Sequence, residues 1–160
     1  MSPGEQVVKE SLDAPFHRLS ASNAVAALVV TEDGRYLLQL RDQKPNIWYP
    51  GHWGLFGGAV DAGETPEEAL CRELTEEIDY TPTTFTRFTS FTFDFGFMGQ
   101  GAYYRTFYEV AIPSVRLPEL VLGEGREIRA FAAEEVLALT QVVPYDAFAL
   151  YLHIHRVRFV

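Results

Sequence analysis

Glu73, Glu76 and Glu77 fall together in Arg72-Glu73-Leu74-Thr75-Glu76-Glu77. On a helix, at about 100° per residue, the three carboxylates share an arc of about 100°. Glu73 opposes Glu76 and Glu77 as like-charge pairs at i+3 and i+4, each costing roughly a few tenths of a kcal/mol. Glu76 and Glu77 also sit in the last turn, where the helix dipole favours cations, and Asp79 adds further negative charge there. A surface built only for stability would carry Lys or Arg at that end; the alternative is a solvated acidic face. A hard, oxygen-ligated cation such as Mg²⁺, or Mn²⁺ in its place, removes the conflict. A metal beside acids suggests phosphate chemistry.

The segment before the acids is a glycine-rich turn, Gly57-Gly58-Ala59-Val60-Asp61-Ala62-Gly63-Glu64. Its glycines permit positive φ and close approach of backbone to a ligand. It feeds a helix with clear start chemistry: Thr65 as N-cap, Pro66 in the first turn and Glu68 closing a capping box. The helix is expected to run to about Ile78, with Leu70, Cys71, Leu74 and Ile78 as its buried stripe. Cys71 therefore reads as packing rather than as a nucleophile.

The elements that position this helix are legible from periodicity. Residues 24–31 and 36–41 read as two strands joined by Glu32-Asp33-Gly34-Arg35, a hairpin signal. Residues 42–52 form a loop and 53–56 a short apolar piece. Residues 85–97 alternate aromatic with polar or small residues, as a half-buried strand does. Strands over 103–112 and 127–131 follow, then helices over 133–139 and 145–155. His153 and His155, two residues apart, read as structural. The order implies one α/β domain over residues 21–160 with a mixed sheet, preceded by an N-terminal arm or edge segment over residues 1–20.

The chain has 160 residues and a formal net charge of −9, which argues against polymeric nucleic acid as a partner, because backbone binding needs basic patches. No apolar run reaches membrane-spanning length and no signal-peptide core is present, so the expectation is a cytoplasmic protein with no membrane partner. The single cysteine excludes an intrachain disulfide framework.

The spacing Gly58, five residues, Glu64, seven residues, Arg72-Glu73-Leu74-Thr75-Glu76-Glu77 closely resembles the Nudix box, G-x5-E-x7-R-E-U-x-E-E-x-G-U, where U is a bulky aliphatic residue. Asp79 stands where that pattern has glycine, and Tyr80 where it has an aliphatic residue. The resemblance implies an α/β/α sandwich. It also implies a pyrophosphohydrolase acting on a nucleoside diphosphate linked to another group. Glu73, Glu76 and Glu77 are the implied metal ligands, with one of them a general base, and the Gly57 carbonyl is a further ligand. Arg72 is the implied orienting residue and Glu64 its partner. Glu124 and Glu127 are candidates for an additional acid from a later loop.

Arg41, Trp48, Tyr49, Trp53, Phe56 and Tyr104 are the candidate substrate-binding residues, with Tyr103 and Arg105 beside them. The partner implied is a small nucleotide or nucleotide sugar. Two rival readings share the fold: a nucleotide-sugar glycosyl hydrolase and a non-catalytic nucleotide sensor. Both usually depart from the intact acidic set. Related isomerases need a cysteine outside the box, and Cys71 lies within it. A homodimer is expected through exposed aromatic strands and the N-terminal arm.

Overall fold

A computed structural model describes residues 19–159; most of the N-terminal arm expected over residues 1–20 lies outside them. The strands are β1 (Ala24–Val30), β2 (Tyr36–Leu40), β3 (Trp53–Gly54), β4 (Thr86–Asp94), β5 (Ala102–Ala111) and β6 (Glu127–Phe131); the helices are α1 (Pro66–Ile78), α2 (Ala133–Ala138) and α3 (Pro144–Ile154). They build a mixed six-stranded sheet, ordered β3–β2–β1–β5–β4, with β6 also paired to β2. β1 runs parallel to β5 and antiparallel to β2.

The apolar run of β1 is buried on both faces of the sheet. Val25, Ala27 and Val29 join a core with Ala69, Leu70, Leu74 and Ile78 of α1. Ala26 and Leu28 point the other way, into a second core with Val136 of α2 and Ala149 and Leu150 of α3. This period-two alternation between two apolar layers is what covers both faces of the sheet. The result is the expected α/β/α sandwich.

Helix α1 starts as its residues dictate. The Thr65 side chain accepts from the Glu68 N–H, and the Glu68 carboxylate accepts from the Thr65 N–H at 2.8 Å. It ends at Asp79, which takes the left-handed conformation (φ 53°, ψ 41°). The Asp79 and Tyr80 N–H groups donate back to Thr75 and Leu74 carbonyls at 3.1 and 3.3 Å. Asp adopts this conformation more readily than most residues, so the helix closes in the manner of a glycine cap.

β4 is partly buried as its alternation implies, with Phe91 and Phe93 shielded and Thr92 and Asp94 exposed, but the alternation does not run through the whole strand. A bulge between Arg87 and Thr89 shifts its register on β5, which reassigns side chains between faces. Phe85 packs on Tyr108 on the α1 face, with ring centres 5.6 Å apart. Phe88 and Phe91 instead meet His153 and Phe107 on the α3 face, at 4.9 and 5.2 Å.

Candidate active site

Arg72 is the hub of the acidic face of α1. Its Nε donates to Glu64 at 2.8 Å, its Nη1 to Glu73 at 2.8 Å and more weakly to Glu76 at 3.4 Å. Its Nη2 reaches the second Glu64 oxygen and the Ala59 carbonyl, both at 2.9 Å. The two-point grip on Glu64 is the geometry that suits a guanidinium best. It holds the Glu64 carboxyl below the usual carboxylate range. Arg72 thus ties the first turn of the box to the acids two turns later.

Glu73 differs. Burial raises its pKa even though Arg72 opposes the rise, and the charges of Glu76 and Glu124 add to it. Glu77 is further removed from water, at 5% exposure. Burial pushes its pKa to about 7, against hydrogen bonds from Gln39 and the Gly57 N–H, and Glu73 and Glu124 again contribute. The Gln39 amide donates to one Glu77 oxygen at 3.0 Å and the Gly57 N–H to the other at 2.7 Å. Two acids are therefore held where their charge is costly and only partly compensated.

Three glycines make this packing possible. A side chain on Gly57 would meet the Val25 carbonyl oxygen at 2.3 Å, and Gly57 has φ 129°. One on Gly58 would sit within 2.6–2.7 Å of the Glu73 carboxylate. One on Gly123 would strike the Glu76 carbonyl oxygen at 2.1 Å. The Gly123 N–H donates to the Glu77 carbonyl at 2.8 Å and the Val121 N–H to that of Ile78 at 3.2 Å, docking the loop that carries Glu124 onto the end of α1.

The oxygen-only donor set of Glu73, Glu76, Glu77, Glu124 and the Gly57 carbonyl suits a hard divalent cation. The surplus of buried negative charge is the observation that fits one. Among the described residues no three acidic, His or Cys side chains stand gathered in ligating positions. Arg72 takes one oxygen of Glu73 and, more weakly, one of Glu76, and leaves the other oxygen of each.

Gly57, Gly58 and Ala59 also line a cavity of about 720 Å³. Its walls are aromatic: Trp48 and Tyr49 from the long loop, Phe91, Phe93 and Phe95 from β4 and its end, and Tyr145 and Phe148 from α3. Arg105 lies over the Tyr145 ring at 4.8 Å, and its Nε and Nη2 donate to Asp146 at 3.2 and 3.1 Å. Asp146, 2% exposed, also accepts the Leu55 N–H at 3.0 Å.

Residues 21–152 match the family model of the NUDIX domain. The chain belongs to the Nudix family. The nucleoside triphosphatase NudI of Escherichia coli O139:H28 is 40% identical over 65 residues, spanning 36% of this chain and 45% of that protein. NudI of Salmonella arizonae is 42% identical over 64 residues, with the same coverage of 36% and 45%. The chain thus spans about half the length of the curated relatives it matches. The MutT protein of Methanosarcina mazei Go1 superposes with a TM-score of 0.67 at 21% identity, covering 87% of this chain and 99% of that one. The NUDIX domain of Shewanella oneidensis NrtR, complexed with ADP ribose, superposes with a TM-score of 0.65 at 19% identity over 100% of both chains. At such identities the likeness to solved structures is one of fold.

With the Nudix box placed, the remaining candidates separate. Arg41, Trp48, Tyr49, Tyr103, Tyr104 and Arg105 line the cavity beside the box. Phe56 does not: it is fully buried beneath α1, in the core with Leu70 and Leu74. Trp53 is also displaced from the cavity, packing edge-on against Phe131 at 4.9 Å with Arg129 over its ring at 5.4 Å. Glu127 is ion-paired to Arg129 on β6, at 2.5 Å, whereas Glu124 is the loop acid whose charge reaches Glu73 and Glu77.

Gln39, Asp146, Tyr145, Phe148 and the β4 aromatics were not singled out by sequence reasoning. The alternation of Phe91, Phe93 and Phe95 was the one available signal; it marked a shared face without saying that the face walls a cavity. His153 is fully buried, between the Tyr36 hydroxyl at 2.8 Å and Glu109 at 2.5 Å. No described helix is long and apolar enough to cross a membrane.

Proposed function

We propose that this chain is a divalent-metal-dependent hydrolase that cleaves a phosphoanhydride bond in a nucleoside diphosphate carrying a further group. The observation that carries this reading is one shared wall. Gly57 and Gly58 line the aromatic cavity on one side. On the other they touch Glu77 and Glu73. A ring stacked in the cavity would bring its phosphates to the acids.

Glu73, Glu76 and Glu77, with Glu124 and the Gly57 carbonyl, would hold Mg²⁺ or Mn²⁺. The ion, when bound, supplies charge neutralisation for the phosphate oxygens and makes water a better nucleophile. Arg72 orients Glu73 while Glu64 orients Arg72. Glu73 or Glu77, whose proton affinity burial has raised, accepts the proton of the attacking water. Trp48, Tyr49, Phe91 and Phe93 stack on the ring, and Arg41 faces its phosphates. The relatives named nucleoside triphosphatase favour a nucleoside triphosphate as the first substrate to test, the further group then being phosphate. The expected homodimer belongs to the same reading, and sedimentation equilibrium tests it.

The decisive experiment is a panel of nucleoside triphosphates, dinucleotides and nucleotide sugars, with Mg²⁺ or with EDTA. Phosphate-bond cleavage that needs Mg²⁺ and vanishes in Glu76→Gln supports the reading. Nucleotide binding without turnover of any substrate replaces it with the sensor, and release of free sugar with an intact nucleoside diphosphate replaces it with the glycosyl hydrolase.

A further inference from the structure

We propose that Gln39 is a positioning residue for the metal site, one that aims Glu77 while leaving its negative charge available to the cation. This rests on the metal-dependent reading above.

Gln39 lies on β2 between Leu38 and Leu40 and is 2% exposed. A buried amide in a mostly apolar strand costs stability unless its hydrogen bonds are met. A strand selected for packing alone would carry an aliphatic residue there. Its position explains the amide. The Gln39 Nε2 donates to the Glu77 carboxylate at 3.0 Å and to the Leu55 carbonyl at 3.4 Å. It therefore joins the end of α1 to the segment that enters the glycine turn. On its other side, a Cβ at Gly125 would lie 3.0 Å from the Gln39 Oε1, and the Arg126 N–H donates to the Leu40 carbonyl at 2.8 Å. Gln39 thus stands where three site segments converge: the helix end with Glu77, the turn with Gly57, and the loop with Glu124.

The chemistry of the donor matters as much as its place. Arg or Lys at this position would neutralise Glu77 and compete with a cation. Asp or Glu would repel it. A glutamine amide donates without charge and cannot titrate. It fixes one carboxylate oxygen from behind, as the Gly57 N–H fixes the other at 2.7 Å. Both constraints act on the rotamer of Glu77, and neither removes its charge. Arg72 treats Glu64, Glu73 and Glu76 in the opposite way, by direct ion pairing.

The test is Mn²⁺ binding, monitored by electron paramagnetic resonance on the whole chain without substrate, in wild type, Gln39→Leu and Gln39→Met. Both substitutions place an apolar side chain of similar size at the position and remove the donor. The expected result is Mn²⁺ affinity weakened about 10- to 100-fold, the range for residues that support metal ligands. The KM for nucleotide at saturating Mg²⁺ is expected to stay within about two-fold, and the Tm in EDTA to fall modestly, because Glu77 loses a donor. A purely structural role predicts the same fall in Tm with Mn²⁺ affinity unchanged. Wild-type Mn²⁺ affinity in a folded Leu or Met variant overturns the assignment. Should the Leu variant misfold, the unbranched Met variant gives the answer. Wild-type protein that takes up no Mn²⁺ overturns the metal reading itself, and the Gln39 assignment with it.

Discussion

Helices α1 and α3 each carry titratable groups to the sheet, on opposite faces, and the two clusters are built differently. On α3, fully buried His153 has a partner at each ring nitrogen, the Tyr36 hydroxyl and the Glu109 carboxylate, and Arg156 lies close by at 3.2 Å. Burial lowers the His153 pKa and so favours the neutral ring, against the Glu109 hydrogen bond. On α1, Arg72 alone faces Glu64, Glu73 and Glu76, while Glu77 has only neutral donors. The first cluster is balanced and the second carries surplus negative charge. Buried polar groups that serve only the fold are satisfied internally; a surplus points to something bound from outside.

The largest effect that separates the clusters is expected at Glu77. Glu77→Gln should lower Mg²⁺-dependent hydrolysis about 1,000-fold, within the range for a lost acid–base or ligand group. Initial-rate kinetics on the best substrate check this, and a loss of less than about five-fold would remove Glu77 from the site.

Next is a pH effect in EDTA. Glu77 has its folded-state pKa raised from 4.5 to about 7. Its contribution is therefore present below the unfolded value and lost as pH rises through the folded one. Denaturant titrations should show about 3 kcal/mol lost between about pH 4.5 and pH 7, at about 1.4 kcal/mol for each pH unit crossed. Glu77→Gln should abolish most of that slope. His153 has the opposite sign: its pKa is lowered, so its contribution is present above the ordinary value of 6.5 and lost as pH falls.

Gly58→Ala should follow, since its new methyl group would lie 2.6–2.7 Å from the Glu73 carboxylate. Displacing that acid is expected to weaken Mn²⁺ binding about 10- to 100-fold, measured by paramagnetic resonance. Phe93→Ala should raise the nucleotide KM about ten-fold through lost stacking and leave the Mg²⁺ dependence unchanged. The smallest effect belongs to the balanced cluster. Tyr36→Phe should cost about 1 kcal/mol in denaturant unfolding, for one lost hydrogen bond, with hydrolysis within about two-fold of wild type.

The contrast also explains what was legible in the sequence. Local rules placed the start of α1, because Thr65, Pro66 and Glu68 act within one turn, and its end near Ile78, whereas the closure at Asp79 was not legible. The Asp33-Gly34 hairpin and the spacing from Gly58 to Glu77 were legible for the same reason. Gln39, Asp146 and the aromatic wall were not. Gln39 meets Glu77 across 38 residues of chain and Asp146 meets Leu55 across 91. Neither pairing leaves a periodic trace. Trp53 and Phe56 lie away from the cavity, in packing positions, because aromatic type alone does not reveal which side of the sheet a side chain takes. The bulge at Phe88 likewise turned a simple alternation into a strand that serves both faces.

Hydrolysis in ¹⁸O-labelled water, with Mg²⁺ and the best nucleotide of the panel, tests the central claim most directly. The products are read by ³¹P NMR for the isotope shift. The account predicts one ¹⁸O in a phosphoryl product, formation abolished by EDTA, and a loss of about 1,000-fold in Glu77→Gln. Label appearing in a released sugar, or turnover undiminished in Glu77→Gln, would contradict it.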